Sequence, residues 1–427
     1  MRVLIVGSGG REHAIAWKLG QSTRVSHIFC APGNGGIEEV GECVDISEHD
    51  IDKLIHFAKK KKIDLTVIGP EVPLLNGICD RFEAEGLKVF GPSKLAARIE
   101  GSKRYAKELM HKYQVPTAAY QVFTEADEAK EYVLKQGAPI VIKADGLAAG
   151  KGVVVAQTPD EALKAIQDIM EKKAFGKAGH EVVIEQFLTG EEVSLMAFVD
   201  GKTFIPMVEV QDHKPVYDDN KGPNTGGMGT YSPVPQIKQN IIEEAINTIL
   251  KPIVEGMNAE GIHYKGVLYA GLMITEEGPK VIEFNARFGD PETQVVLPRL
   301  STDLLEILLA VVNGSLDGVQ IEWRDAAAVC VVMTVEGYPA SYPTGIPIHS
   351  IPVLTKNQIV FHAGTRRNEQ DQMVTTGGRV LGVTGIGDTL THAREKAYCI
   401  LEQITFKGCH YRKDIAGQAI ATKNDFV

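Results

Sequence analysis

Glu283, Asn285 and Arg287 occupy every second position of Val281-Ile282-Glu283-Phe284-Asn285-Ala286-Arg287. On a strand, side chains two apart share a face. A carboxylate and an amide oxygen on one face suit Mg²⁺ or Mn²⁺, hard ions that leave further positions to water and nucleotide phosphate. Arg287 adds a planar fork for a carboxylate or phosphate. Gly289-Asp290-Pro291 then breaks the strand, and Glu292 follows where a helix begins. Metal pair, anion receptor and tight polar turn together describe a site for moving a phosphoryl group.

A second stretch, Pro139 to Val155, reads strand, glycine-rich loop, strand. It departs from the Walker A pattern: one spacer between the glycines is missing, Gly152 replaces the Ser or Thr after Lys151, and a strand follows instead of a helix. A loop over Gly146–Gly152 can still fold over a triphosphate, with backbone N–H groups and Lys151 as donors and Lys143 beneath. After the strand Glu181–Ile184, the linker Glu185, Gln186, Phe187 and Leu188 can bond an adenine edge through its backbone. Glu191 or Glu192 can accept from a ribose hydroxyl. Asp212-His213-Lys214 precedes a long polar loop, Asp218 to Gly229, whose glycines, Gly227 and Gly229 among them, allow backbone close to a small substrate.

These groups need elements to hold them. Val3–Val6, Gly7-Ser8-Gly9-Gly10 and Arg11–Leu19 read as strand, turn and helix, the opening of a doubly wound parallel sheet whose first helix N-terminus can hold an anion. Further strands are expected at His27–Cys30, Leu65–Ile68 and Lys88–Phe90, and helices at Asp50–Lys60 and Leu75–Glu85. The carboxyl ends of such strands form a crevice, here lined by Gly9-Gly10, Pro32-Gly33-Asn34 and Gly69-Pro70-Glu71. A nicotinamide dehydrogenase does not fit: Glu12 stands where the third fingerprint glycine belongs, and no acidic ribose anchor follows the second strand. Farther on, Gly266–Ile274 should pair with Lys280–Asn285. Strands at Ala326–Thr334 and Val380–Thr384 and a helix at Leu390–Ile404 form a small α+β unit with one notable cation, Arg379.

At 427 residues the chain has room for roughly three domains of about 150 residues. A net charge of −10 argues against a general nucleic-acid binder. The six cysteines have neither CxxC nor zinc spacing, which fits a reducing cytoplasm. No apolar run reaches membrane-span length, and the N-terminus is too short an apolar stretch for a signal peptide.

Taken in order, GSGGREHA (7–14), APGN (31–34), GPE (69–71), IKADGLAAGKGV (142–153), DHK (212–214), PNTGGMG (223–229), EFNARFGDPETQ (283–294), FHAGT (361–365) and GGRVL (377–381) resemble the ATP-grasp superfamily and, within it, the glycinamide ribonucleotide synthetases. The resemblance implies a Rossmann-like domain over 1–101, an ATP-grasp domain over 102–325 with a lid at about 120–190, and a C-terminal α+β domain over 326–427. It implies ATP-dependent joining of glycine to 5-phosphoribosylamine through glycyl phosphate, in a cytoplasmic monomer that needs no nucleic acid or membrane. By the same resemblance Lys103, Lys143, Lys151, Gly146 and Gly152 meet ATP phosphates. Glu185, Gln186, Phe187 and Leu188 hold adenine, and Glu192 or Glu191 the ribose, with Lys214 beside the nucleotide. Glu283 and Asn285 bind Mg²⁺ or Mn²⁺, while Arg287, Lys151 and Asp212 carry the chemistry. Gly10, Asn34, Pro70, Glu71, Asp212, Gly227, Gly229, Arg287, Asp290, Pro291 and Glu292 line the pocket for the other substrates. One departure is Tyr269-Ala270, where many of the superfamily place another acidic metal ligand. The nearest rivals are superfamily members that use bicarbonate in place of glycine.

Overall fold

Val3, Leu4, Ile5 and Val6 are fully buried, the mark of a strand covered on both faces. The computed structural model describes residues 1–147 and 152–424. The first strand, Arg2–Gly7, sits in the middle of a five-stranded parallel sheet. Its neighbours are His27–Pro32, Glu42–Cys43, Leu65–Ile68 and Val89–Phe90. Asp50 caps the helix Ile51–Lys61 by accepting from Lys53 N at 3.1 Å. The single helix expected over Leu75–Glu85 is instead two, Glu71–Leu75 and Ile78–Ala84. Gly77, at φ +82°, turns the chain between them.

Two antiparallel sheets follow. One orders Tyr120–Phe123, Val182–Gln186, Ile140–Ala144 and Val153–Ala156, and packs the helices Ala126–Gln136 and Pro159–Ile166 in a small core of its own. The other orders Phe204–Pro206, Glu191–Asp200, Lys265–Thr275 and Gly278–Asn285. The expected pairing of the last two strands is present, with Gly271 opposite Glu283 and Tyr269 opposite Asn285. Phe284, between the two polar positions, is buried on the other face.

The C-terminal sheet is not made of C-terminal residues alone. Its order is Gln211–Asp212, Gly229–Ser232, Ala327–Thr334, Arg379–Gly387 and Gln358–His362, so two central strands complete it. The expected loop Asp218–Gly229 is mostly a hairpin, Pro215–Tyr217 against Lys221–Asn224, and Gly229 already belongs to the sheet. Asp219 and Asn220, both at positive φ, make its turn. Lys221-Gly222-Pro223-Asn224 has no apolar alternation to announce a strand, and all four residues are exposed.

The N-terminal helix Gly10–Leu19 packs against the C-terminal sheet. His13 Nδ1 accepts from His362 N at 2.9 Å. Asn34 Nδ2 donates to Ser8 O at 2.8 Å and to His362 O at 2.9 Å, while its Oδ1 accepts from Gly36 N at 3.0 Å. Burial, and His362 beside it, lower the His13 pKa to about 3; burial, then Arg367, lower His362 to about 4. Both rings fold neutral, so the folded protein binds fewer protons than the unfolded chain. Their contribution to stability is complete above the ordinary histidine value of 6.5 and is lost as pH falls toward 4. Melting temperature should therefore drop between pH 7 and 5, and His13→Asn, which retains an acceptor, should flatten that slope in a pH series of thermal melts.

Candidate active site

Glu12, which excluded the dinucleotide reading, explains the glycines around it. Its carboxylate accepts from Gly9 N at 2.6 Å and pairs with the Arg11 guanidinium. A side chain on Gly7 would come within 2.8 Å of that carboxylate, and one on Gly69 would overlap it. Both glycine turns are therefore shaped around an internal anion. Asp290 adds a second: its carboxylate accepts from the Arg11 backbone N–H and from Gln294 Nε2 at 2.9 Å. The N-terminus of this helix can hold an anion, and two protein carboxylates meet it.

Asp290 is clamped from the other side by Arg379, whose Nη2 lies 3.4 Å from Oδ1 and whose Nη1 donates to Asp290 O at 2.8 Å and Gly226 O at 2.6 Å. Burial opposes the charge on Asp290, but Arg379 and Arg11 outweigh it and hold the carboxyl below its usual range. Several residues expected at the substrate pocket thus stand behind its wall. Gly10 packs on Gln294, and Gly227 packs on Pro291 and Asp212. Gly229 is held against Cys330 O and Ile415, and Asn34 spends its amide on the staple to His362.

The wall encloses a cavity of about 530 Å³. Pro70, Glu71, Lys103, Gly146, Gly152, Glu185, Asp212, Lys214, Glu283, Asn285, Arg287, Asp290 and Glu292 all line it. Glu283 is half-buried; its partial removal from water opposes its charge, yet Lys214, Lys143 and Lys103 hold the carboxyl below its usual range. The Asn285 amide donates to it. One ionised carboxylate and one amide fit a hard divalent ion completed by water and phosphate. Among the described residues no group of three or more His, Cys, Asp or Glu is placed to hold a metal ion.

Arg287 is already well occupied. Nε donates to Glu71 at 3.0 Å, Nη1 to Phe288 O at 3.2 Å, and Nη2 reaches Asn285 Oδ1 at 3.4 Å and Glu100 at 2.9 Å. Burial disfavours the Glu71 charge, but Arg287 and Arg11 outweigh it and keep the carboxyl low.

At the other end Lys103 opens the helix Lys103–Lys112, and its Nζ donates to Gly146 O at 3.0 Å. Burial lowers its pKa. Lys143 lies 2.9 Å from Glu185 and donates to Ile282 O at 2.9 Å. Lys107 reaches the other Glu185 oxygen at 3.0 Å, and burial lowers its pKa to about 8. Its place four residues beyond Lys103 on one helix face is a signal the sequence carried. Lys151 and the middle of the glycine loop lie outside the described residues. Gln186 is exposed, with its N–H on Ala119 O at 2.9 Å; Phe187 and Leu188 are half-buried. Strand alternation separates the two candidate ribose acceptors. Glu192 shares a face with Ser194 and pairs with Lys214 at 3.2 Å, whereas Glu191 is exposed on the opposite face.

Asp212 Oδ1 is buried without a hydrogen-bond partner. Burial, then the nearby Glu292, push its carboxyl well above the usual range. Glu292 accepts from Ser194 Oγ at 3.2 Å, and Ser194 meets the Tyr269 hydroxyl at 2.8 Å. Tyr269, where another acid was looked for, thus borders a carboxylate supplied from farther along the chain. Burial works against the Lys214 charge, but Glu192 and Glu283 more than restore it.

Three family models match: phosphoribosylglycinamide synthetase N domain over residues 1–100, ATP-grasp (A) domain over 101–293 and C domain over 328–418. The chain belongs to the phosphoribosylglycinamide synthetase family. It is 55% identical to the phosphoribosylamine–glycine ligase of Halalkalibacterium halodurans, covering 99% of this chain and 98% of that one. It is 50% identical to the Escherichia coli K12 protein of the same name, covering 98% and 99%. The crystal structure of phosphoribosylamine–glycine ligase from Thermotoga maritima matches with TM-score 0.85 and 36% identity, covering 97% of this chain and all of that one. A biotin carboxylase from Campylobacter jejuni, at TM-score 0.73 and 17% identity over 96% and 92%, shares the fold. The fold is the mixed α/β arrangement expected: parallel N-terminal sheet, ATP-grasp domain and C-terminal domain.

The packing around Glu12 has a measurable consequence. Gly69→Ala places a methyl on its carboxylate and should cost about 1–3 kcal/mol, read as a lowered urea midpoint with unchanged m-value.

Proposed function

We propose that this protein joins glycine to 5-phosphoribosylamine at the expense of ATP, giving N1-(5-phosphoribosyl)glycinamide, ADP and phosphate, as a cytoplasmic monomer of purine synthesis. Family membership and two named relatives at 50–55% identity over nearly the whole chain support the reaction. The observation that carries the site is the convergence of Lys103, Glu283, Asn285, Arg287 and Asp212 on one cavity, although they lie far apart in sequence. No helix among the described residues is long and apolar enough to cross a membrane.

A carboxylate is a poor electrophile, so glycine is first phosphorylated: a carboxylate oxygen attacks the γ-phosphorus and ADP leaves with the bonding pair. The protein supplies position and charge neutralisation. Lys103 and Lys143, with Gly146, Gly152 and Lys151, hold the phosphates. Glu185 to Leu188 frame the adenine, and Glu192, held by Lys214, takes the ribose. Glu283 and Asn285 hold a divalent cation, magnesium or manganese, which when bound neutralises phosphate charge. Arg287 balances charge on the transferred phosphoryl group. The amine of the second substrate then attacks the acyl carbon, the C–O bond to phosphate breaks, and phosphate departs with its electrons. The nitrogen's surplus proton passes to the carboxyl pair Asp212 and Glu292. Asp212 holds a proton to higher pH than an ordinary carboxyl, a property suited to that step. We place the domain limits at 1–101, 102–325 and 326–427, with the lid at about 120–190.

The test is ADP release with one component omitted at a time. Release that requires glycine, and full turnover only with phosphoribosylamine, is expected; bicarbonate replacing glycine would overturn the reaction. Glu283→Ala should abolish turnover and weaken Mn²⁺ binding in the presence of a non-hydrolysable ATP analogue, with the circular dichroism spectrum unchanged.

A further inference from the structure

Glu100 has no part in the mechanism above, yet it is a buried carboxylate that touches the reacting strip. It lies near the end of the helix Lys94–Gly101 and is 9% exposed. Its two oxygens serve two consecutive residues. Oε2 accepts from Ala286 N at 2.7 Å, and Oε1 lies 2.9 Å from Arg287 Nη2. Ala286 is the first residue after the strand Gly278–Asn285, where the strand's own ladder ends. A backbone N–H buried there needs another acceptor, and Glu100 provides it. The same carboxylate holds the guanidinium beside Asn285 Oδ1.

Arg287 has two carboxylate partners that differ in access. The Glu71 side chain is 27% exposed at the cavity; that of Glu100 is 6% exposed. An incoming anionic substrate group can displace the first from the guanidinium and be compensated by water around Glu71. It cannot displace the second without leaving a buried charge unpaired. We infer that Glu100 is a positioning residue for the ligation: it fixes both the backbone at Ala286 and the Arg287 fork, so that Arg287 stays on the face of Glu283 and Asn285 while its Glu71 side opens to substrate. The inference rests on the role proposed for Arg287 in phosphoryl transfer.

A double-mutant cycle in the full-length protein tests it. Glu100→Ala should lower kcat about 100-fold, the scale of a small displacement of a catalytic group. The dissociation constant of a non-hydrolysable ATP analogue, set at the lysine end, should stay within about twofold. Arg287→Ala should lower kcat at least as much, and the double variant should be no slower than Arg287→Ala alone, because Glu100 acts through that arginine. Glu100→Gln keeps the shape and one acceptor, and serves if the alanine variant fails to fold; it should slow kcat by at least about fivefold and be likewise silent in the Arg287→Ala background. A kcat within about twofold of wild type in either Glu100 variant, or losses that multiply in the double variant, would overturn the inference. Wild-type turnover of glycine and phosphoribosylamine is read in the same assay. Its failure would remove the proposed reaction, whereas the cycle tests Glu100 through the ratio of variant to wild type for any acyl substrate the enzyme phosphorylates.

Discussion

A charge removed from water must find a partner, and Asp290 finds partners in all three parts of the molecule. The N-terminal helix contributes a backbone N–H, the central domain Gln294, and the C-terminal domain Arg379. Losing any one of them would leave a buried carboxylate under-compensated, a strongly destabilising condition. The turn that carries Asp290 also carries Gly289 and Glu292, so the junction that joins the domains sets one wall of the cavity.

The same accounting runs through the cavity. Arg287 is matched by Glu71 and Glu100, Glu185 by Lys107 and Lys143, and Lys214 by Glu192. Asp212, with its orphan oxygen, and Glu283, which no salt bridge reaches within 4 Å among the described residues, stand apart from these pairs. Lys103 likewise bonds a carbonyl rather than an acid. These three open groups are among those proposed to meet amine, metal and phosphate, while the paired Lys143, Arg287 and Glu192 must share their charge between a protein partner and a substrate.

The alternation Glu283-Phe284-Asn285 was legible because a strand's period is two, and the pairing with Lys265–Thr275 followed from two apolar runs around a tight turn. Glu191 and Glu192 were indistinguishable as neighbours in sequence, since which of them shares the face of Ser194 and Lys214 depends on how the strand is set in its sheet. Asp290 and Asn34 sit in glycine-containing turns that the sequence marks as pocket-lining, and Glu12 shows only as a missing glycine. What the local pattern could not show is that folding brings other backbone to those turns and satisfies the side chains internally. Glu100 left no trace in its own helix: its importance comes from two residues about 186 positions away. The hairpin after Tyr217 escaped notice because its second strand is polar and exposed throughout.

The borrowed strands of the C-terminal sheet bear on how the chain can be divided. Gly229–Ser232 pairs with Ala327–Thr334 across almost a hundred residues of intervening sequence. Severing the polypeptide between the central and C-terminal regions would uncover a long, fully buried apolar edge on one fragment and its complement on the other. Such edges adhere to any suitable strand. Two separately made fragments would either recombine into the native sheet or exchange strands between copies and precipitate. The boundary that looks natural along the sequence is thus a seam in three dimensions, and each side protects the other from self-association.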